Sequence, residues 1–357
     1  MKESILSLIQ EPYSVLTIRS ISKLTDDFFV FVFEDGHGLQ YEAGQFLTLV
    51  HQQGDKEIRR SYSITSSPVL KEPISIGVKR VANGIFSRWL IDFAKIGDQL
   101  ITSGTGGFFR LPVNFSSHNS FIFFAAGSGI TPIYSLIKTL LHLDKTSKVY
   151  LLYSSRSPAD TIFYDSLNEI QEKNSGRFQI EYLFSTSQDI RKAYLNRDYI
   201  IRFLKQHEID VSHSLFYTCG PEAYMRMIIF VLQLQGISRN NIRREDFVPG
   251  KVIPAKKTPP DTNDHFVTLQ FHDRAFKIKV TYPDTILQAA KKEKLILPYS
   301  CETGKCGNCA ALCISGKVWL SYNEVLTEQE LEKGITLTCV GHPVHGDVIL
   351  KMDNFQL

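Results

Sequence analysis

The sequence predicts a multidomain protein: an antiparallel β-barrel, then an α/β doubly wound parallel sheet, then a C-terminal α+β domain. Two changes of texture along the 357 residues support this order. Short β-rich segments come first, and from about residue 120 apolar strands alternate with amphipathic helices. The last segment carries three closely spaced cysteines and a distant fourth. We place the domains at residues 10–116, 117–247 and 265–357, with a polar, proline-containing linker at 248–264.

The barrel is predicted from short strands that are separated by glycine and aspartate. These strands span residues 15–21, 28–33, 46–50, 61–65 and 74–81. One predicted helix, Gly84 to Phe93, interrupts them. Its Ile85, Trp89 and Phe93 recur every four residues and form one apolar face.

Two motifs in the barrel suit a phosphorylated, planar ligand. On a predicted strand, alternation places the Arg60 cation and the Tyr62 ring on the same face. The predicted helix follows, and its N-terminus offers free amides and partial positive charge to a pyrophosphate. The plainer alternatives are an exposed strand and a Ser87 that only caps the helix. The candidate binding residues are Arg60, Ser61, Tyr62, Ser63, Gly84, Ile85, Phe86 and Ser87.

The second domain is predicted from apolar strands at 121–126, 149–153, 180–184 and 215–219, with helices between them such as 131–143. Such a βαβ series implies a parallel sheet. A glycine loop that follows the first strand directly can cradle phosphate, although the third glycine of the dinucleotide fingerprint is missing. Another turn ends the last strand, where open sheets place ligands. A plain turn and a buried structural cysteine are the alternatives. The candidates are Gly127, Gly129, Thr131, Pro132, Cys219, Gly220 and Pro221.

The C-terminal segment carries four cysteines in the order C-x4-C-x2-C followed by a distant fourth, the ligand spacing of a 2Fe-2S cluster. The predicted ligands are Cys301, Cys306, Cys309 and Cys339. Gly304 and Gly307 permit positive φ, so the loop can fold round a cluster. A structural zinc site and a disulfide framework are weaker alternatives. Cys313 lies outside the motif and is interpreted as a small buried hydrophobe.

Composition limits the remaining classes of function. Lys and Arg number 40 against 37 Asp and Glu, so no basic excess favours nucleic acid. No apolar run approaches the roughly 18 residues of a membrane helix, and the N-terminus does not resemble a signal peptide. Four cysteines that must stay reduced fit a reducing compartment. We therefore predict a cytoplasmic protein without a nucleic-acid or membrane partner.

Together these motifs resemble a ferredoxin-NADP reductase-type flavoprotein fused to a plant-type ferredoxin domain, over residues 13–357. The resemblance implies a β-grasp-like last domain and FAD rather than FMN. It also implies that Arg60 holds the pyrophosphate, Tyr62 packs on the isoalloxazine and Ser63 lies near its N5. The segment 242–247 is similar to a family motif I-H-x-E-x-F, with arginine at position 243 instead of histidine. The residues carried over as catalytic are Ser63, Cys219, Glu245 and Phe247.

The same resemblance implies that electrons pass from NAD(P)H to FAD, to the 2Fe-2S cluster and on to an external protein. Similar chains are oxygenase reductase components such as the phenylacetyl-CoA epoxidase reductase subunit, so we expect an oxygenase or hydroxylase acceptor. The alternatives are a self-sufficient reductase of a small acceptor and a redox-sensing or binding flavoprotein with low turnover.

The preferred nucleotide is predicted to be NADPH, with NADH possible. Arg156 follows the second strand of the parallel sheet and suits a 2′-phosphate. Several NADPH-using relatives have a Ser-Arg pair after the third strand, where this chain has Ser185 and Thr186. Arg191 or Lys192 could substitute from the same loop.

Overall fold

A computed structural model of the chain describes residues 13–53, 56–247, 257–271 and 274–352. The chain divides into two compact units, Met1–Phe247 and Val248–Leu357, and each is described by itself. The predicted linker at 248–264 lies partly outside the described residues.

The first unit begins with a six-stranded antiparallel barrel in the order β4-β3-β6-β1-β2-β5. An isolated bridge between Ile64 and Ile76 links the end of β4 to β5, so the two edge strands meet. Leu16, Phe31 and Leu47 are fully buried in its core. The elements are β1 (Ser14–Thr25), β2 (Phe28–Phe33), β3 (Phe46–Gln53), β4 (Lys56–Ser63), β5 (Ser75–Lys79), α1 (Ile85–Phe93) and β6 (Gln99–Gly106).

Two expectations for the barrel were wrong in detail. The strand predicted at 61–65 is β4, which begins at Lys56 and ends at Ser63. The apolar face predicted for α1 does not face the core, because Ile85 is 57% exposed and Phe93 is 67% exposed. Instead Phe86 and Leu90 on the neighbouring stripe are buried against the barrel.

The second half of the unit is a five-stranded parallel sheet in the order β11-β10-β7-β8-β9. Its two faces carry separate cores: Ile133 and Leu167 lie in one, Phe203 and Ile228 in the other. Helices therefore cover both faces, as predicted for a doubly wound sheet. The elements are β7 (Ser120–Ala126), α2 (Ile130–Leu143), β8 (Lys148–Ser155), α3 (Tyr164–Lys173), β9 (Phe178–Phe184), α4 (Arg197–Gln206), β10 (Ser214–Cys219), α5 (Glu222–Leu234) and β11 (Ile242–Glu245).

Helix α2 joins the sheet to the barrel. Ser135 Oγ donates to Ser66 O at 2.6 Å, and the hydroxyls of Ser67 and Thr139 lie 2.6 Å apart. All three serines are buried, so these hydrogen bonds between α2 and the barrel are shielded from water. We call this contact the seam. The seam brings the end of β4 close to the carboxyl ends of the parallel strands.

The second unit is built on a mixed five-stranded sheet in the order β13-β12-β18-β14-β16, in which β12 and β18 are parallel. A two-stranded sheet of β15 and β17 accompanies it. Helix α6 begins with a capping box formed by Thr285 and Gln288. The elements are β12 (His265–Phe271), β13 (Arg274–Val280), α6 (Ile286–Lys292), β14 (Ala310–Ser315), β15 (Val318–Leu320), α7 (Glu328–Glu332), β16 (Ile335–Leu337), β17 (Gly341–Pro343) and β18 (Val348–Lys351).

Across the described ranges, no helix combines the length and apolar character that a bilayer crossing requires.

Candidate functional site

The predicted strand motif and helix motif of the barrel lie side by side. Tyr62, on β4, contacts Phe86 in the first turn of α1, with ring centroids 6.2 Å apart. Burial raises the pKa of Tyr62, and the nearby Arg60 cation opposes that rise. Arg60 itself is exposed and donates from Nη1 to its neighbour's carbonyl, Arg59 O, at 2.7 Å. Ser61 contacts Thr48 on β3 through hydroxyls 2.9 Å apart.

The N-terminus of α1 carries no side-chain cap. Gly84 is the N-cap residue in an extended conformation, and Ser87 does not cap the helix. The buried Ser87 Oγ instead accepts from Val81 N at 3.4 Å in the preceding loop. A Cβ on Gly84 would lie 2.5 Å from this oxygen, so glycine permits the close approach. The first-turn amides thus have no side-chain acceptor of their own, as an anion site at a helix N-terminus requires.

The two predicted glycine turns of the parallel sheet are in contact. A Cβ on Gly129 would lie 2.1 Å from Cys219 O, and a Cβ on Gly220 would lie 2.9 Å from the Ala126 Cβ. Gly127 has a φ of 53°, and Thr131 Oγ1 donates to Ser128 O at 2.8 Å. The loop from 127 to 129 therefore depends on glycine both for its conformation and for its packing. Pro132 is buried in the first turn of α2, and Pro221 precedes α5.

Ser63, Cys219 and Glu245 meet where the barrel joins the sheet. Cys219 ends β10 directly beside Glu245 of β11 in the parallel register. Cys219 is fully buried, and both burial and the Glu245 carboxyl raise the pKa of its thiol. The cysteine is therefore a neutral thiol.

Glu245 carries the strongly perturbed carboxyl of this group. Burial raises its pKa to about 8, while the nearby Ser63 hydroxyl lowers it. Yet Ser63 Oγ and Glu245 Oε2 are buried and have no hydrogen bond of standard geometry among the described residues. Phe247, two residues further on, is 41% exposed.

The candidate nucleotide-specificity residues lie in the loops that follow β8 and β9. Arg156 is exposed, and its carbonyl accepts from Thr186 N at 3.1 Å and from Thr186 Oγ1 at 2.8 Å. These bonds join the two loops. Arg191 is 81% exposed and pairs with Asp189 at 3.0 Å. Lys192 is exposed nearby.

In the second unit the four predicted ligand cysteines form two pairs. The thiols of Cys301 and Cys306 lie close enough to shift each other's pKa, and Cys339 raises the pKa of the Cys309 thiol. Two pairs of thiols match two irons that each take two thiolates. Among the described residues, no three His, Cys, Asp or Glu side chains converge on a single metal ion.

Backbone amides and glycines shape the loop around these pairs. Thr303 N donates to Cys301 Sγ at 3.4 Å. Gly304 and Gly307 have φ of 74° and 75°, the positive values that their position in the loop predicts. Thr338 N donates to Cys309 O at 3.0 Å and so fastens the distant fourth cysteine to the loop.

Cys313 is not part of this group. It lies on β14, and its thiol donates weakly to Ser315 O at 3.5 Å. The residue is partly exposed, so the interpretation as a small buried hydrophobe was wrong.

Sequence reasoning missed polar groups beside the cysteines. Among the described residues, the buried Thr303 hydroxyl and the buried Asn308 amide nitrogen make no hydrogen bond of standard geometry, although Thr303 lies beside the Cys301 thiol. Asn308 stands between Gly307 and Cys309, so its place inside the motif was the available signal.

Known protein families match the chain in three consecutive segments. The oxidoreductase FAD-binding domain matches residues 13–111, and the oxidoreductase NAD-binding domain matches residues 123–229. The 2Fe-2S iron-sulfur cluster binding domain matches residues 270–344.

A 3-ketosteroid-9-alpha-monooxygenase ferredoxin reductase component from Mycolicibacterium smegmatis is 31% identical over 333 residues, which are 88% of each chain. This chain belongs to the ferredoxin reductase family of oxygenase reductase components. The reductase is also 28% identical to a subunit of the 1,2-phenylacetyl-CoA epoxidase of Escherichia coli, over 95% of this chain and 97% of that relative. Among solved structures, phthalate dioxygenase reductase is 25% identical with a TM-score of 0.57, over 96% of this chain and 98% of that one.

These comparisons confirm the predicted three-domain fold and the predicted enzyme class, an NAD(P)H-dependent oxidoreductase. They also confirm the predicted cofactors of the reductase, namely FAD, NAD(P)H and a 2Fe-2S cluster. The domain boundaries and the roles of individual site residues stay predictions.

Proposed function

We propose that this reductase uses NADPH to reduce, through FAD and a 2Fe-2S cluster, an oxygenase or hydroxylase component in the cytoplasm. The observation that carries this proposal is the meeting of Ser63, Cys219 and Glu245 between barrel and sheet. Bound FAD would supply the chemistry that accepts two electrons as hydride and releases them one at a time.

The residues at the junction fit the edge of a flavin. Two buried polar atoms there, Ser63 Oγ and Glu245 Oε2, have no partner of standard geometry among the described residues. Buried polar groups are normally hydrogen-bonded, so a polar ligand edge is the natural partner. Tyr62 would pack on the ring system, and Arg60 with the uncapped amides of α1 would hold the pyrophosphate.

The nicotinamide would enter on the side of the two glycine turns. Gly129 and Gly220 let the backbone approach closely at the carboxyl ends of β7 and β10, where open sheets place ligands. Cys219 would stay a neutral thiol at the reacting edge, and Glu245 would hold a proton there at neutral pH. Arg156, with Arg191 or Lys192, would contact the 2′-phosphate of NADPH.

The cluster would be held by Cys301 and Cys306 on one iron and by Cys309 and Cys339 on the other. A pairwise thiol arrangement fits this group, with Cys309 and Cys339 buried and Cys301 and Cys306 partly exposed. The Thr303 hydroxyl beside Cys301 offers the sulfurs a hydrogen-bond donor. All six cysteines of the chain are free, which accords with a reducing compartment.

Anaerobic mixing of the loaded reductase with NADPH or with NADH tests the route. We expect loss of flavin absorbance followed by the electron paramagnetic resonance signal of a reduced 2Fe-2S cluster, faster with NADPH. Equal or faster reduction by NADH would overturn the NADPH preference alone. The absence of reduction by either nucleotide would leave a redox-sensing or binding flavoprotein.

The acceptor is tested separately, with the oxygenase or hydroxylase component encoded nearest to this chain as the probe. We expect product from that component only when the reductase and the nucleotide are both present. Fast steady-state reduction of a small acceptor, with no electron delivered to the protein component, would support a self-sufficient reductase instead.

A further inference from the structure

Lys305 places a charged side chain inside the cysteine-bearing loop, immediately before Cys306. Its side chain is only 8% exposed, and its Nζ lies 3.8 Å from Oε2 of Glu324, which is 23% exposed. Lysine is rarely buried unless it is paired. The fold therefore holds a pair of compensating charges directly against the loop of the proposed cluster ligands.

A second segment holds Glu324 against this loop. The Glu324 N–H donates to Gly304 O at 3.2 Å, and the Tyr322 hydroxyl donates to Glu324 Oε1. A Cβ on Gly304 would lie 2.9 Å from Tyr322 O, so the two backbones touch. The carboxylate is thus fixed by its own backbone and by a neighbouring ring.

The turn around Glu324 is itself pinned by Asn323. Its Oδ1 accepts from Val325 N at 3.1 Å and from Leu326 N at 2.9 Å. Its Nδ2 donates to Leu326 O at 2.9 Å. These hydrogen bonds fix the backbone of the turn, and the turn holds the Glu324 backbone beside the loop that carries Lys305.

Glu302 of the same loop forms a second, more exposed ion pair, which can be compared with the buried one. Lys291 Nζ lies 2.8 Å from Glu302 Oε2, but these side chains are 34% and 45% exposed. Water and salt screen such a pair, whereas the Lys305 charge is screened much less.

We propose that Lys305 and Glu324 are positioning residues that set the reduction potential of the 2Fe-2S cluster. One electron added to the cluster adds one negative charge, which a buried cation stabilises and a nearby carboxylate opposes. Lys305 raises the potential, and Glu324 offsets that rise. The inference rests on the proposed cysteine ligands.

Redox titration of the full-length, cofactor-loaded reductase, monitored by the electron paramagnetic resonance of the reduced cluster, tests this directly. Lys305→Met lowers the potential and Glu324→Gln raises it, each by about tenfold in the ratio of reduced to oxidised cluster, about 59 mV for one electron. The double variant returns towards the wild-type value.

Matched variants separate charge from shape. Lys305→Arg keeps the charge and leaves the potential near the wild-type value, and Lys291→Met and Glu302→Gln shift it far less than the buried pair does. Shifts in the same direction for Lys305→Met and Glu324→Gln, or none with the cluster intact, would overturn the inference. A wild-type chain without any reduced-cluster signal would overturn the proposed function instead.

Discussion

Glu245 is the residue whose chemistry depends most on its surroundings. Its pKa of about 8 exceeds the ordinary 4.5 because burial penalises the charged form. The unfolded chain therefore loses this proton first as the pH rises. The stability that the neutral carboxyl contributes is complete below pH 4.5 and is lost as the pH rises through about 8.

Replacing Glu245 by glutamine tests this sign. Between pH 4.5 and about 8, the contribution of the neutral Glu245 carboxyl to the free energy of unfolding falls by up to about 5 kcal/mol. The variant Glu245→Gln removes that fall. The measurement is the thermal midpoint of the full-length reductase across this range. Glu222→Gln, at an exposed position in the first turn of α5, is the control and keeps the wild-type slope. An unchanged slope in Glu245→Gln would contradict the assignment.

Cysteine replacements distinguish the ligand set from its neighbour. Cys309→Ser removes a proposed ligand, so we expect loss of the cluster's visible absorbance and of its stoichiometric iron. NADPH-dependent reduction of a dye that accepts electrons directly from flavin should persist. Cys313→Ser is the matched control and keeps both, because its thiol donates to the carbonyls of Ser315 and Gly316. Full cluster content in Cys309→Ser would refute its role as a ligand.

At the residue level, the parts of the site that depend on local sequence spacing were easier to predict than the parts that depend on contacts between distant residues. The cysteine pattern is local, so the four thiols could be predicted from the sequence alone. The meeting of Ser63 with Glu245 could not, because it depends on how a barrel strand packs against a sheet far along the chain. The family resemblance supplied Glu245 as a candidate, but its raised pKa follows only from burial.

At the scale of elements, apolar runs were better predictors than periodicity alone. Strand β7 is almost wholly buried, β8 is buried from Val149 to Tyr153, and the apolar stretches of both were recognised. Helix α1 offered two apolar stripes, and a four-residue period does not say which stripe faces the core. Strand β11 reads Ile-Arg-Arg-Glu, and it is a strand because β10 pairs with it, not because of its composition.

The glycine loop between β7 and α2 makes a sharp prediction about packing. In Gly129→Ala the added Cβ meets the backbone of Cys219 at 2.1 Å, and backbone cannot move aside as a flexible side chain can. We expect the dissociation constant for NADP⁺ to rise about tenfold or more and the thermal midpoint to fall. Titration calorimetry and thermal melting measure the two effects. Gly176→Ala, where nothing lies within 4 Å, should change neither.

At the scale of the whole molecule, the two units have separate sheets. In the described ranges, no strand of the barrel or of the parallel sheet pairs with a strand of the second unit. The polar, proline-containing linker predicted at 248–264 indicated this division, whereas the change of texture near residue 120 predicted the two kinds of sheet within the first unit. The packing of barrel against sheet within the first unit could be learned only from the structure. The seam there is formed by Ser66, Ser67 and Ser135, and serines of this kind give no sequence signal for such a contact.

Separate sheets predict separate unfolding. On heating or in denaturant, we expect the full-length reductase to show two transitions, one reported by the release of flavin fluorescence and one by bleaching of the cluster. Glu245→Gln should move only the flavin transition, and Cys309→Ser should abolish only the cluster transition. A single shared midpoint for both probes, in the wild type and in both variants, would mean that the two units unfold cooperatively.

The pairing of β10 with β11 also constrains how the chain can vary in length. Glu245 lies opposite Cys219 because seven residues, from Gln235 to Asn241, separate the end of α5 from β11. A single insertion or deletion in that connection would bring Arg244 or Asp246 opposite Cys219 and turn the carboxyl to the other side of the sheet. Insertions are usually tolerated in surface turns. In this connection, by contrast, a change of length would alter which side chain of β11 lies beside Cys219.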